Sequence, residues 1–196
     1  MTTVDTDLRR VVLFVAIANL AYFGIEFTVA LAIGSASLLA DSADFLEDAS
    51  VNLLIFFAVA WSARNRARVG MVLALILLAP ALAFLWTAWQ KFMNPLPPEP
   101  FALSMAGLGA LAVNLGCAYA LASYRHHSGS LTRAAFLSAR NDAFANVAII
   151  AAGLVTAFLW NSVWPDLVVG FGIAYMNLDA AKEVWEAARE EHQAVS

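Results

Sequence analysis

Cysteine is almost missing from this chain. Cys117 stands alone, which excludes an internal disulfide and any cysteine-based metal cluster. It falls in an apolar run and reads as a small packing residue. Charge is also scarce. Only 13% of the 196 residues are charged, where a soluble domain carries about 25%. The net charge of −4 argues against a nucleic-acid partner. There is no His-Glu-x-x-His motif, and Ser138 has no neighbouring histidine to act as a base, so an intramembrane hydrolase lacks its machinery. The chain is not expected to be an enzyme and needs no resident cofactor. No cleavable signal is evident. The first apolar run, 11–33, is too long for a signal-peptide core of about 7–15 residues.

What the chain has is apolar side chain. Hydrophobic residues make up 62%, and the mean hydropathy is +0.73. A soluble core of this size cannot bury so much, so lipid must take part of it. About 20 apolar residues cross a bilayer as a helix. Six runs qualify: 11–33, 37–61, 69–92, 101–123, 134–160 and 164–186. The fifth has polar residues in its first turns, and the sixth turns amphipathic after Asn177.

The connections fit six helices. Gly34-Ser35-Ala36-Ser37, the proline-rich segment Asn94 to Pro100 and the turn Asn161 to Asp166 hold no base. They alternate with basic segments: Arg9-Arg10, then Arg64, Arg66 and Arg68, then Arg125 and Arg133. The positive-inside rule puts the basic segments, and both termini, in the cytoplasm. Trp86, Trp89, Trp160 and Trp164 fall at the expected outer ends, as interfacial aromatics do. The expected architecture is all-α: one transmembrane domain over 1–196, with a short tail in place of a soluble C-terminal domain. Gly107-x-Gly109 and Gly170-x-Gly172 follow no strand and lack a third glycine. They read as close helix packing rather than nucleotide binding. Ala106 with Ala110 is a similar small-residue pair, able to pack helices within or between chains.

Against this apolar background stand a few polar residues. The second run carries Asp41, Asp44, Glu47 and Asp48. Steps of three and four place the three aspartates on one helix face. Each carboxylate costs about 2.5–3.5 kcal/mol to insert, so such a face usually marks a path for a cation or proton. Stacked carboxylates repel and need a cation or shared protons. Asp44 and Asp48, one turn apart, can address a single ion. Asp41 lies a turn nearer the outer end, where a helix N-terminus alone would also account for it. Glu47 is rotated about 100° from Asp48, so a neighbouring helix is its expected partner.

The fifth run reads Ser138-Ala139-Arg140-Asn141-Asp142, with Asn146 a turn beyond. Ser138, Asp142 and Asn146 share a face, with Asn141 beside them. Carboxylate, amide and hydroxyl oxygens are hard ligands for divalent cations, although amides and hydroxyls also join helices. Arg140 points elsewhere, to a carboxylate or to a water-filled entrance. Asn19 and Glu26 in the first run and Asn114 in the fourth either hold ligands from behind or bond between helices. Glu26 is the member of that group best able to titrate. His126-His127 lies in a connection, and two adjacent histidines make no tetrahedral site.

The segment Ser37 to Asp48 resembles the second helix of the cation diffusion facilitators. In that family two acids four apart on helix two meet two ligands four apart on helix five. Carried over, Asp44 and Asp48 match the first pair and Asp142 the last ligand. Ser138 stands where zinc carriers commonly have histidine. Ser138 to Asp142, together with Trp164 to Gly170, is similar to a short, tail-less bacterial branch, which implies a bacterial inner membrane. The resemblance spans essentially the whole chain. It implies proton-coupled export of a divalent metal by alternating access, in a homodimer. An oxygen-rich site suits manganese, iron, cobalt, nickel or magnesium, and carboxylates also bind zinc and cadmium. The competing expectation is an accessory membrane subunit that binds metal and transports nothing.

Overall fold

The computed structural model describes residues 3–57, 80–124 and 130–177. Those residues form six helices: α1 (Thr3–Ile33), α2 (Ala36–Phe57), α3 (80–93), α4 (Pro100–Ala122), α5 (Ser130–Phe158) and α6 (164–177). The basic segment Arg64 to Arg68, Arg125, His126-His127 and the stretch beyond Asn177 lie outside the described residues, as does the Arg133 side chain. α1 starts at Thr3, well before the apolar run at residue 11, because the residues ahead of that run contain no helix breaker.

The breaks between helices follow from residue chemistry. α1 stops where Gly34 takes a left-handed backbone, φ 64°. The Ser35 N–H then returns to Ala30 O at 2.9 Å, which closes the last turn. Glu99 begins α4. Its carboxylate accepts from Phe101 N at 2.9 Å and Ala102 N at 2.5 Å, and Pro100 fills a position that needs no N–H.

α1 packs on α2 and α4, and α5 packs on α4 and α2, so these four helices close a ring. One apolar cluster fills the ring near the α1–α2 turn, built on Leu38, Leu39, Leu103, Ile149 and Leu167. A second, with Val15, Cys117, Ala118, Leu121 and Ala139, fills the opposite end. Between the clusters the helices turn polar. Asn19, Glu26, Asp41, Asp48, Asn114 and Asn146 are all buried there. Outward, the same helices show Phe14, Ile17, Phe101, Leu108, Phe144 and Leu154. Asp7–Ile33, Pro100–Ala122 and Leu137–Phe158 are long and apolar enough to cross a membrane. α2 is long enough too, but carries four acids.

Small residues bring the helices together. A Cβ on Gly109 would collide with the Tyr22 hydroxyl, and one on Gly170 would meet the α2 backbone at Ala36 and Ser37 at 3.0 Å. Gly172 faces open space and carries no such contact. Ala106 and Ala110 are buried within the chain, and Ala106 O accepts from Tyr22 Oη at 2.6 Å.

A clamp built on Asp166 fixes the end of the bundle that carries the α1–α2 turn. Its carboxylate is fully buried and takes Ser35 Oγ at 2.7 Å, Ser37 Oγ at 2.6 Å, Ala36 N at 2.9 Å and Ser37 N at 3.1 Å. It thereby caps two free N–H groups at the start of α2, while Ser35 Oγ accepts from Leu38 N at 3.2 Å. Lys91 of α3 adds its ammonium 3.6 Å away and donates to Leu96 O at 3.1 Å. One carboxylate thus ties α6 to α2 and α3. Asp166→Ala strands all of these donors in an apolar interior, and removing one member of a buried pair costs about 3–5 kcal/mol. Thermal unfolding in detergent should show a large drop for Asp166→Ala and a smaller one for Asp166→Asn, which keeps an acceptor. An unchanged midpoint in Asp166→Ala would show that the clamp adds nothing.

Candidate functional site

The polar layer divides into two neighbourhoods. The first is a cavity of about 150 Å³ lined by Asp44, Glu47, Asp48, Ser138, Asn141, Asp142, Met176 and Asn177. α2 brings its three acids there because they fall within little more than one turn. α5 brings Ser138 and Asp142 on one face, a turn apart. α6 closes the cavity with Met176 and Asn177.

Ser138 Oγ donates to Asp48 Oδ1 at 2.9 Å, so the hydroxyl bridges α5 and α2. Asp142 stands within reach of the same hydroxyl. Asp48 is 7% exposed, whereas Glu47 and Asn141 are open to the surroundings. Glu47 was expected to turn to a neighbouring helix. It lines the cavity beside Asp48, because the cavity is wider than a single helix face. Arg140 is exposed and donates to Asn141 Oδ1 at 3.4 Å, which favours an open entrance over a buried carboxylate as its surroundings. Among the described residues, no three or more His, Cys, Asp and Glu side chains stand together as a ready-made cage for an ion. The acids instead spread over the wall of a space that holds more than one water. That wall supplies four carboxylates, a hydroxyl, two amides and one thioether, a mostly hard donor set with one soft sulfur.

The second neighbourhood lies a turn away, toward the clamp. Asp41 Oδ2 accepts from Asn146 Nδ2 at 2.6 Å, and Asn146 Oδ1 accepts from Asn114 Nδ2 at 2.9 Å. Asn146 shares a helix face with Ser138 and Asp142, yet it serves Asp41 and not the cavity. Glu26 reaches the same spot from α1. Asn19 belongs to neither neighbourhood. It donates to Val15 O at 3.0 Å and to the Cys117 sulfur at 3.8 Å. Cys117 is buried and free.

Sequence reasoning missed Met176, Asn177, Asn52 and the Asp166 clamp. Met176 and Asn177 sit at the fading end of an apolar run, with no periodic partner to flag them. Asn52 is buried and donates to Asp48 O at 2.8 Å, a local bond that spacing does not reveal. Asp166 did leave a signal: an acid directly after a proline, in a segment without a base to pair it.

Residues 12–190 match the cation efflux transmembrane domain. Members of this family are transporters rather than enzymes. The match takes in every helix from the apolar part of α1 through α6, and with it both polar neighbourhoods. A ring of apolar helices around a carboxylate-lined cavity accords with such a domain, and the chain belongs to the cation efflux family, the cation diffusion facilitators, as a multi-pass membrane transporter of cations.

Proposed function

We propose that the chain exports a divalent transition-metal ion from the cytoplasm in exchange for protons, by alternating access. The observation that carries this reading is the cavity that gathers Asp44, Asp48, Asp142 and Ser138 from α2 and α5. The ion is the substrate. Asp44, Asp48 and Asp142 supply its charge neutralisation. Ser138 adds a hydroxyl oxygen, or orients Asp48 while the Asn141 or Asn177 amide oxygen serves instead. A carboxylate set binds a metal only after giving up its protons, so metal and protons compete for the same oxygens. That competition is the elementary step of antiport.

The donor set supports a range of metals. Oxygens in the majority suit manganese, iron and cobalt. The Met176 thioether adds affinity for softer ions and keeps zinc, cadmium and nickel in range, while magnesium gains nothing from it. A histidine at position 138 would tilt the set toward zinc.

In this reading the chain crosses the membrane six times. Both termini and the open side of the cavity face the cytoplasm, and the Asp166 clamp faces outward. The tryptophans mark the clamp end as an interface, since Trp86, Trp89, Trp160 and Trp164 are exposed there, and the basic segments of the sequence favour the opposite end as the cytoplasmic one. Resemblance to the short bacterial branch supports a bacterial inner membrane, and resemblance to the family supports a homodimer. Ala106 and Ala110 are already committed to packing inside the chain, so a dimer uses other faces.

Proteoliposomes with an imposed proton gradient test the assignment. Uptake of at least one of zinc, cadmium, manganese, iron, cobalt and nickel should follow the gradient. It should vanish in Asp44→Asn, Asp48→Asn and Asp142→Asn, each still inserted and folded. Wild-type transport by Asp48→Asn would sink the site assignment, and metal binding without flux of any ion would point to an accessory subunit. Ser138 is tested separately. Ser138→Ala should weaken metal binding by about 10–100-fold, as loss of an orienting partner does. Ser138→His should raise the preference for zinc over manganese. Calorimetry with both metals reads both effects, and identical affinities in all three proteins would reduce Ser138 to a helix-joining role.

A further inference from the structure

Glu26 and Asp41 do not line the cavity. Both are 0% exposed. Among the described residues, neither oxygen of Glu26, nor Oδ1 of Asp41, receives a bond from an N–H or hydroxyl group. Yet the two carboxyl groups lie within hydrogen-bonding reach of each other. Two ionised carboxylates are acceptors only and cannot bond. A single proton between them supplies the missing donor and satisfies two of the three orphaned oxygens, Oδ1 of Asp41 and one oxygen of Glu26.

The surroundings provide no other donor or counter-charge for the pair among the described residues. On α1, Tyr22 is close, but its hydroxyl donates to Ala106 O at 2.6 Å. From α2 the neighbouring charge is Asp44, and from α5 it is Asp142, both of like sign. α4 presents Asn114, already committed to Asn146. On α3, Lys91 is held at the clamp by Asp166 of α6. Asn146 fixes the other oxygen of Asp41, which leaves Oδ1 as its unpartnered atom.

We propose that Glu26 and Asp41 hold one proton between them, in a dyad separate from the metal cavity, and that this proton is released when the cavity takes up its cation. The release rests on the exchange reading above. The step balances simply. The dyad O–H bond breaks, both groups become carboxylates and the proton leaves to water. A divalent charge entering near Asp44, a turn away, compensates the added negative charge, and its departure draws the proton back. Linkage makes the effect reciprocal: protonating the dyad weakens cation binding by the same factor.

Infrared difference spectroscopy on the full chain in lipid nanodiscs tests the dyad. The wild type at neutral pH should show a carboxylic-acid stretch that shifts in heavy water. The band should disappear in Glu26→Gln and in Asp41→Asn and persist in Asp48→Asn. Glu26→Gln retains a donor toward Asp41, so it keeps the fold, and Asp41→Asn is an independent second variant. A pH dye should report one proton fewer released per manganese or zinc bound in Glu26→Gln than in the wild type, with the metal still bound. Persistence of the band in both dyad variants overturns the dyad, and an unchanged proton count overturns its coupling to the cation. If wild-type vesicles move no metal, the exchange reading fails, while the infrared band still decides whether the dyad exists.

Discussion

An ionised carboxylate in an apolar interior must find a partner, and this constraint organises the whole bundle. The acids meet it in different ways. Asp166 draws in two hydroxyls, two backbone N–H groups and Lys91. Asp41 takes the amide of Asn146 and faces Glu26. Asp44, Asp48 and Asp142 instead border a cavity large enough for water or an ion. The first arrangement is closed and structural. The last is open, and that openness makes it the place where chemistry can change.

The order of these sites along the bundle has consequences. The Asp166 clamp holds the start of α2 against α6, with Gly170 allowing the backbones to touch. α2 therefore enters the ring at a fixed depth and rotation. Asp41 follows on its inner face, and Asp44 and Asp48 one and two turns later. A rigid start is useful to a helix whose middle must carry like charges. The donors of the clamp offset part of the cost that those charges impose further along.

The polar layer also separates two apolar clusters, one near the clamp and one at the opposite end. The cluster near the clamp closes its end of the ring, while the cavity is open on the other side. In the proposed exchange, release outward would require that cluster to loosen and the open side to close in turn. α5 spans the layer and contributes to both neighbourhoods, Ser138 and Asp142 to the cavity and Asn146 to Asp41. Rotation or sliding of α5 against α2 would therefore act on both at once.

Much of this was legible in the sequence. The apolar runs and the turns at Gly34 and Pro100 mark helices, because periodicity and helix breakers are local properties. The three-and-four spacing of Asp41, Asp44 and Asp48 put them on one face for the same reason. What spacing could not decide is which partner each group meets across the ring. Asp41 and Asp44 look alike in the sequence, yet one meets Asn146 and Glu26 and the other borders the cavity. Asn146 shares the face of Asp142 but serves a different acid. Met176 and Asn177 join the cavity only because α6 ends beside it. Asp166 reaches Ser35 across 131 positions, a contact no local pattern encodes. The sequence by itself determined where the helices lie and that charge is buried within them. Helix packing decided which acids are sealed and which are left open, because that depends on depth and rotation across elements distant in the chain.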